Sequence, residues 1–253
     1  MNHTRHASMP TTARMPHAWP SAAMARGRHD AGVGTRSNKV RLRRRPVRSS
    51  SRFVCEAILE AFEKALDAQS FEACTTNHIA DLAGVGIGSF YEYFSNKETV
   101  LALWLYRHSS RLLADFDRLL DDDIGTPLEV QIDAIVAGVF ERYAHKLHVW
   151  RQIVHAAYAI STDEQCARCA REFSRRWQRL LESHYPLGRA RKRRLADTAA
   201  SCHDQLLSHI EGAIMGGVGD LGGAGDPMSP QVRERSADSL LRIIHGSLGS
   251  LHT

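Results

Sequence analysis

Small and hydroxyl-bearing side chains concentrate between residues 75 and 98, and their spacing suits contact with phosphate groups. Gly86 is placed to open a short helix with free backbone N–H groups, which favour an anion. Gly88 and Ser89 come next, and their small size lets the front of that helix sit deep in a groove. Further groups able to bind phosphate are the hydroxyls and the ammonium group of Ser89, Tyr91, Tyr93 and Lys97.

Three predicted helices carry these residues. Apolar residues recur at helical spacing from about Ser51 and form one face, which comprises Val54, Ile58, Ala61, Phe62 and Ala65. Thr75 is a favourable N-cap for a second helix, and Gly84 supplies the positive φ or the close approach that a turn between packed helices needs. A third helix is predicted from Ile87 to about Phe94. This order is the helix-turn-helix layout, whose second helix of the pair enters the major groove.

This stretch resembles the DNA-binding domain of TetR/AcrR-family transcriptional regulators. The matching residues are Ile79-Ala80, Ala83-Gly84-Val85, Gly88-Ser89-Phe90-Tyr91, Tyr93-Phe94 and Asn96-Lys97-Glu98, in the family's order and spacing. Residues 57–62 and 71–76 resemble the first helix and the lead into the second. The resemblance predicts an all-α protein, with a three-helix DNA-binding domain over 49–96 and a larger helical effector-binding and dimerisation domain over 97–253.

The resemblance implies a role in DNA binding for specific residues. Those implied to hold the phosphate backbone are Thr75, Thr76, Tyr91, Tyr93 and Lys97. Those implied to approach the major groove are Gly86, Ile87, Gly88 and Ser89. Glu92 is implied to lie near base edges, where a carboxylate can accept a hydrogen bond from a cytosine amino group.

The segment departs from the family pattern at three positions. Ser70 and Gly86 stand where the family usually has Gly and Ser, respectively. A glycine N-cap costs only a few tenths of a kcal/mol, roughly, relative to a capping side chain. Ile87 stands where a basic or polar residue is frequent, which removes one possible contact with a base or a phosphate.

The net charge of +5 is distributed unevenly along the chain. Residues 1–50 contain 11 basic residues and one acidic residue, whereas residues 51–98 contain three basic and eight acidic residues. The composition of residues 1–48 predicts disorder, and their last stretch is a dense cationic run from Arg41 to Arg48. Three interpretations of this arm stay open: a solvated tail, the translation of an upstream start codon that is not used, or an arm that neutralises phosphates or enters a minor groove.

Beyond residue 97 the periodicity is helical almost throughout, and no useful strand-like alternation occurs. The last two long helices are predicted at about Ala190–Met215 and Pro230–Leu251, and the resemblance implies that they pair with their twins in a homodimer. Large amphipathic side chains in the central helices suit either plain core or an effector pocket. The first candidates for the pocket are Tyr143, Trp150, His155 and Tyr158.

Other chemistry has little support in the sequence. Cys166 and Cys169 lie one helical turn apart, but no second pair of ligands at metal-binding spacing accompanies them. We therefore expect no cofactor, no metal and no enzymatic activity. The predicted function is a ligand-responsive repressor that binds a palindromic operator as a dimer, with a small-molecule effector. The alternative is a helical enzyme or metal-binding protein with an incidental basic tail.

Composition limits the compartment and the class of protein. No apolar run approaches the roughly 20 residues that a membrane helix needs, and no signal-peptide core is present near the N-terminus. Five cysteines are few and odd in number, which argues against a disulfide scaffold. We expect a cytoplasmic protein that makes no membrane contact.

Overall fold

The computed structural model describes residues 49–122, 125–185, 192–215 and 226–249. Within these ranges the chain forms nine helices and no strand, which confirms the all-α prediction. The helices are α1 Ser49–Ala68, α2 Thr76–Ala83, α3 Ile87–Tyr93, α4 Lys97–Asp122, α5 Leu128–Ala144, α6 Leu147–Ile160, α7 Asp163–His184, α8 Lys192–Met215 and α9 Pro230–Leu248. The predicted basic arm over 1–48 lies outside the described residues.

The first three helices pack around a small apolar centre. Phe62 of α1 is fully buried and meets the ring of Phe71 edge-on, with 6.2 Å between ring centroids. The hydroxyl of Thr75 accepts a hydrogen bond from the backbone N–H of His78 at 3.2 Å, as predicted for an N-cap of α2. Gly84 ends α2 with φ +66°, so the predicted positive-φ turn is confirmed.

Helix α4 joins this three-helix unit to the rest of the molecule. Near its start, the indole Nε1 of Trp104 donates to Glu63 Oε1 of α1 at 2.7 Å. Farther along, Phe116 packs edge-on against Trp177 of α7, with ring centroids 5.3 Å apart. Buried residues of both predicted domains form one continuous hydrophobic cluster. A movement of α4 therefore affects both halves.

The remaining helices form a bundle around Trp150, Trp177 and other fully buried side chains. Helix α8 packs along α7 and α9, and α9 also packs on α5. The predicted end of the last helix at residue 251 and the predicted start of the preceding one at residue 190 both fall outside the described ranges. No helix within those ranges has the length and hydropathy required to cross a bilayer.

Candidate DNA-binding surface

Helix α3 presents one face to the protein and the other to solvent. Phe90 is fully buried, and its ring lies 5.6 Å from the ring of Phe94, which follows the helix. The residues left on the outer face are Ile87, Gly88, Ser89, Tyr91 and Glu92, all of them exposed. Because the buried aromatic side fixes the helix on α1 and α2, its outer face is held in a defined orientation. That is the arrangement a groove-reading helix needs.

Two glycines leave the backbone at the front of α3 uncovered. A Cβ atom added to Gly86 or to Gly88 would meet no atom of the described chain within 4 Å. Gly86 has φ −64°, a conformation that any residue adopts, and it provides no side-chain cap. Neither packing nor backbone strain therefore requires glycine here. Their small size instead permits another molecule to approach the helix backbone closely.

Hydroxyl groups of α2 and α3 meet in one exposed patch. The hydroxyls of Thr76 and Tyr91 are 3.0 Å apart and share a hydrogen bond. The Tyr91 ring is 39% exposed and is supported edge-on by Phe90, with 5.5 Å between centroids. A hydroxyl donates one hydrogen bond and accepts up to two, so the bond between these two groups is compatible with a phosphate contact. The structure thus brings together the start of α2 and the middle of α3.

Lys97 has a structural role that the sequence did not reveal. Its Nζ donates to the backbone carbonyls of Phe71 and Glu72, at 2.7 and 2.9 Å, and lies 4.7 Å from the centroid of the Phe71 ring. An ammonium group has three N–H donors, so one remains for a phosphate. The side chain therefore ties the start of α4 to the segment between α1 and α2.

Tyr93 departs from the sequence expectation. It is only 8% exposed and belongs to the hydrophobic cluster, whereas the resemblance implied a grip on the DNA backbone. The reason is helical spacing, because Tyr93 follows the buried Phe90 by three residues and so shares its face. We therefore assign Tyr93 to the packing of α3 rather than to its outer surface.

The comparison with known families identifies this domain. Residues 58–103 match the family model described as "Bacterial regulatory proteins, tetR family". Residues 58–103 are a TetR-family DNA-binding domain. The matched residues run from α1 into the first part of α4 and include the whole exposed face of α3. No curated protein matches the chain in sequence.

Solved structures show that the TetR-family resemblance extends over the fold. The fatty acid degradation regulator FadR from Bacillus halodurans aligns with a TM-score of 0.55 and 18% identity, over 74% of this chain and 94% of that chain. A regulator assigned to the TetR family, from Mesorhizobium loti MAFF303099, aligns with a TM-score of 0.50 and 14% identity, over 79% and 98% of the two chains. At these identities the likeness concerns the fold alone.

An apolar cavity of about 50 Å³ lies inside the helical bundle that follows the TetR-family domain. Its lining comprises Leu112, Phe116, Val139, Tyr143, Cys166, Cys169, Ala170, Phe173, Trp177, His203, Leu206, Leu207 and Ile210. Tyr143 is therefore the one predicted pocket residue that lines this cavity. Burial raises the pKa of Tyr143 well above its usual value, with Cys169, Glu211 and Tyr158 adding to the effect, so its hydroxyl can act as a hydrogen-bond donor even in alkaline solution.

The other predicted pocket residues lie elsewhere. Trp150 is buried next to Tyr143, with ring centroids 4.8 Å apart, and belongs to the core. Tyr158 donates from its hydroxyl to Glu211 Oε1 at 3.0 Å. His155 is exposed, so its assignment to a pocket is corrected. It follows Val154, which is buried, by about 100° around α6, and this rotation turns it toward solvent.

Sequence reasoning missed several residues of the cavity, and His203 is the clearest case. Its ring stacks on Phe173 with 5.1 Å between centroids and an interplanar angle of 4°. Burial lowers the pKa of His203 to about 4, so the ring is neutral at pH 7. The sequence feature that could have indicated this role is the position of His203 on the apolar side of α8, one residue after Cys202.

A charged cleft of about 670 Å³ separates α1 from α4 and α5. Ion pairs cross it between Glu56 and Arg107 and between Glu63 and Lys146, the latter at 2.6 Å. Both carboxylates belong to α1, whereas both cations belong to the larger helical domain or its loops. Partly exposed pairs are worth about 1 kcal/mol or less each, so these two contribute little to the stability of the contact.

Proposed function

We propose that this protein is a ligand-responsive transcriptional repressor that binds a palindromic operator as a homodimer in the cytoplasm. The observation that carries the proposal is the outer face of α3, where Ser89, Tyr91 and Glu92 surround uncovered backbone at Gly88. This face has the shape and the polar groups for entry into a major groove. The hydroxyls of Thr75 and Thr76 at the start of α2 bind the adjacent phosphates in this proposal, which the 3.0 Å contact of Thr76 with Tyr91 supports.

The proposed dimer uses α8 and α9. These helices pack on each other and retain half-buried apolar side chains, which include Leu207, Leu241 and Ile243. Association through one self-complementary face generates two-fold symmetry. A two-fold dimer presents two copies of α3, so its operator is expected to be palindromic, with half-sites about one helical turn of DNA or more apart.

The proposed effector binds in the apolar cavity, which must enlarge to accept it. Pockets for small molecules typically have volumes of about 300 to 1,000 Å³, well above the volume found here. A ligand that fits only the enlarged cavity binds that conformer more tightly and raises its population. Because α4 runs from Phe116 at the cavity to Trp104 beside α1, cavity expansion displaces the DNA-binding unit.

Selection of bound duplexes from a random pool, followed by footprinting, tests the DNA-binding half of the proposal. We expect an enriched inverted repeat protected by a dimer. Ser89→Glu places a negative charge on the outer face of α3 and should abolish specific binding. The matched control is Val130→Glu on α5, at a side chain that is 52% exposed, which should bind as the wild type does. Failure to enrich any sequence contradicts the proposal.

Release of the selected operator by small molecules tests the sensing half. A compound that releases the wild-type protein from the operator should not release the Ala170→Phe variant, because the phenyl ring fills the cavity that Ala170 lines. The variant should still bind the operator. Equal release of both proteins contradicts a sensing role for this cavity. The residues described here contain no group of three or more His, Cys, Asp or Glu side chains suited to a metal, so no observation favours the metal-binding alternative.

A further inference from the structure

The composition of α3 restricts the bases that it can read. Its sequence, residues 87–93, contains no Arg, Lys, Asn or Gln, the side chains that recognise guanine and adenine through paired hydrogen bonds. Phe90 and Tyr93 are buried. The side chains left for reading base edges are therefore Ile87, Ser89, Tyr91 and Glu92. Of these, Tyr91 is held by Thr76 at 3.0 Å, near the edge of the helix face toward the start of α2.

Ile87 is the large apolar side chain of this face. It is the first residue of α3 and remains 40% exposed, although isoleucine is among the residues most often buried. Gly86 and Gly88 flank it, and the space at both positions is open. Ile87 therefore projects from a backbone with no neighbouring side chain of comparable size on either side in the sequence.

The major groove offers one kind of apolar group to such a side chain. Among the four bases, only thymine presents a methyl group on its major-groove edge. Tyr91 follows Ile87 by four residues and so lies beside it on the helix, which places a phosphate-binding hydroxyl and an apolar side chain on the same face. A helix that enters the groove with this face brings Ile87 to the base edges while Tyr91 stays near the backbone.

We infer that Ile87 reads a thymine in each half-site of the operator by packing against its C5-methyl group. This inference rests on the proposed function and adds to it a base that the operator must contain. It also gives a role to the departure from the family's usual polar residue, because an apolar contact with the base takes the place of a hydrogen bond. Removal of that methyl group weakens binding by about four-fold per half-site, the effect of one buried methylene-sized group.

The test replaces each thymine of the selected operator in turn with deoxyuridine, which lacks only the methyl group. Binding of the full-length protein is measured by fluorescence anisotropy for the wild type, Ile87→Ala, Ile87→Val and Leu82→Ala. Leu82 is the matched control, because it is 43% exposed and lies on α2. Thermal unfolding of each variant establishes that it is folded.

We expect one thymine per half-site at which deoxyuridine weakens binding of the wild type and of Leu82→Ala by about four-fold. At the same position deoxyuridine should not weaken binding of Ile87→Ala, and it should weaken binding of Ile87→Val by less than about four-fold. The inference is overturned if the loss is equal in the wild type and Ile87→Ala, or if no thymine methyl matters. A protein that selects no duplex at all contradicts the proposed function itself, which separates the two failures.

Discussion

Gly88 occupies a helical position that packing inside the protein does not reserve for glycine. Alanine there would meet nothing within 4 Å and would favour the helix by about 0.5 to 1 kcal/mol. The same methyl group would stand between the backbone of α3 and an approaching groove. We therefore predict that Gly88→Ala raises the midpoint of thermal unfolding while it weakens operator binding by about ten-fold, roughly the cost of one poorly fitted contact.

Calorimetry and anisotropy titration measure the two effects separately. The control is Gly138→Ala in α5, another helical glycine with open space at its Cβ position. That substitution should stabilise the protein and leave operator binding unchanged. If Gly88→Ala also left operator binding unchanged, the inference that DNA approaches the front of α3 closely would be wrong.

Individual residues in the DNA-binding unit were predictable where local geometry decides their role. The N-cap at Thr75 and the positive φ at Gly84 follow from the chemistry of helix ends and turns. The ties of Lys97 to Phe71 and Glu72 depend on residues at least 25 positions away in the chain. Periodicity along one helix contains no information about such a partner, so a phosphate contact was the only role that the sequence suggested for Lys97.

Three helices of the larger domain meet at one buried imidazole. His108 of α4 lies 4.7 Å from the ring of Tyr143 on α5 and 4.6 Å from Trp150 on α6, and it stacks with Trp104 at 5.7 Å. Burial lowers the pKa of His108 to about 3, with Arg142 and Arg111 adding to the effect. Its Nε2 has no hydrogen-bond partner within the described residues. The neutral ring is thus required for this junction.

The junction predicts that the protein loses stability in mild acid. Below pH 6.5 the unfolded chain protonates His108 and the folded chain does not, so protons favour unfolding until about pH 3. Between pH 7 and pH 5 the contribution of His108 should fall by about 2 kcal/mol. We therefore expect the free energy of unfolding to fall between pH 7 and pH 5 by about 2 kcal/mol less in His108→Phe than in the wild type, as measured by urea unfolding.

The control for this prediction is His155→Gln, at an exposed histidine of α6. Its loss between the two pH values should match that of the wild type. His203 remains in all three proteins, and since burial also lowers its pKa, to about 4, some acid sensitivity persists in each. Identical losses in the wild type and His108→Phe would contradict the assigned role of the junction.

At the scale of elements, the sequence predicted which segments are helical but not how they assemble. In α5 and α6 the helical periodicity of the apolar residues indicates which side chains are buried. Tyr143 and Trp150 are among the buried residues of these helices. Whether a buried side chain lines a cavity depends on the helix opposite. The lining of the cavity therefore depends on how α7 and α8 pack against the other helices, which periodicity does not indicate. For this reason the assignment of His155 to the pocket was wrong.

The charge distribution of the whole molecule creates an electrostatic difficulty for DNA binding. The described part of the DNA-binding unit is net acidic, with Glu92 on its outer face, and acidic groups repel phosphates. The positive charge required to offset this repulsion is concentrated in residues 1–48, which lie outside the described residues. If residues 1–48 neutralise phosphates, the groups that attract DNA and the groups that read its bases lie in different segments of the chain.

We predict that deletion of residues 1–48 weakens operator binding and reduces its dependence on salt. Each phosphate that a cation neutralises contributes about 0.9 to the slope of log K against log salt concentration. If the cationic run from Arg41 to Arg48 neutralises four phosphates, the slope should become shallower by about 3.6 per protomer. Titrations at several potassium concentrations measure it, with the selected operator and a scrambled duplex.

Two controls separate the arm from the reading helix. Ser89→Glu should destroy the preference for the operator over the scrambled duplex, whereas the deletion should weaken both complexes by similar factors, because phosphate contacts hold no sequence information. A second variant with Arg43, Arg44 and Arg45 changed to Gln should reproduce most of the slope change at full chain length. An unchanged slope in both arm variants would show that the arm is a solvated tail, and the cations that hold the DNA would then have to lie between residues 49 and 253.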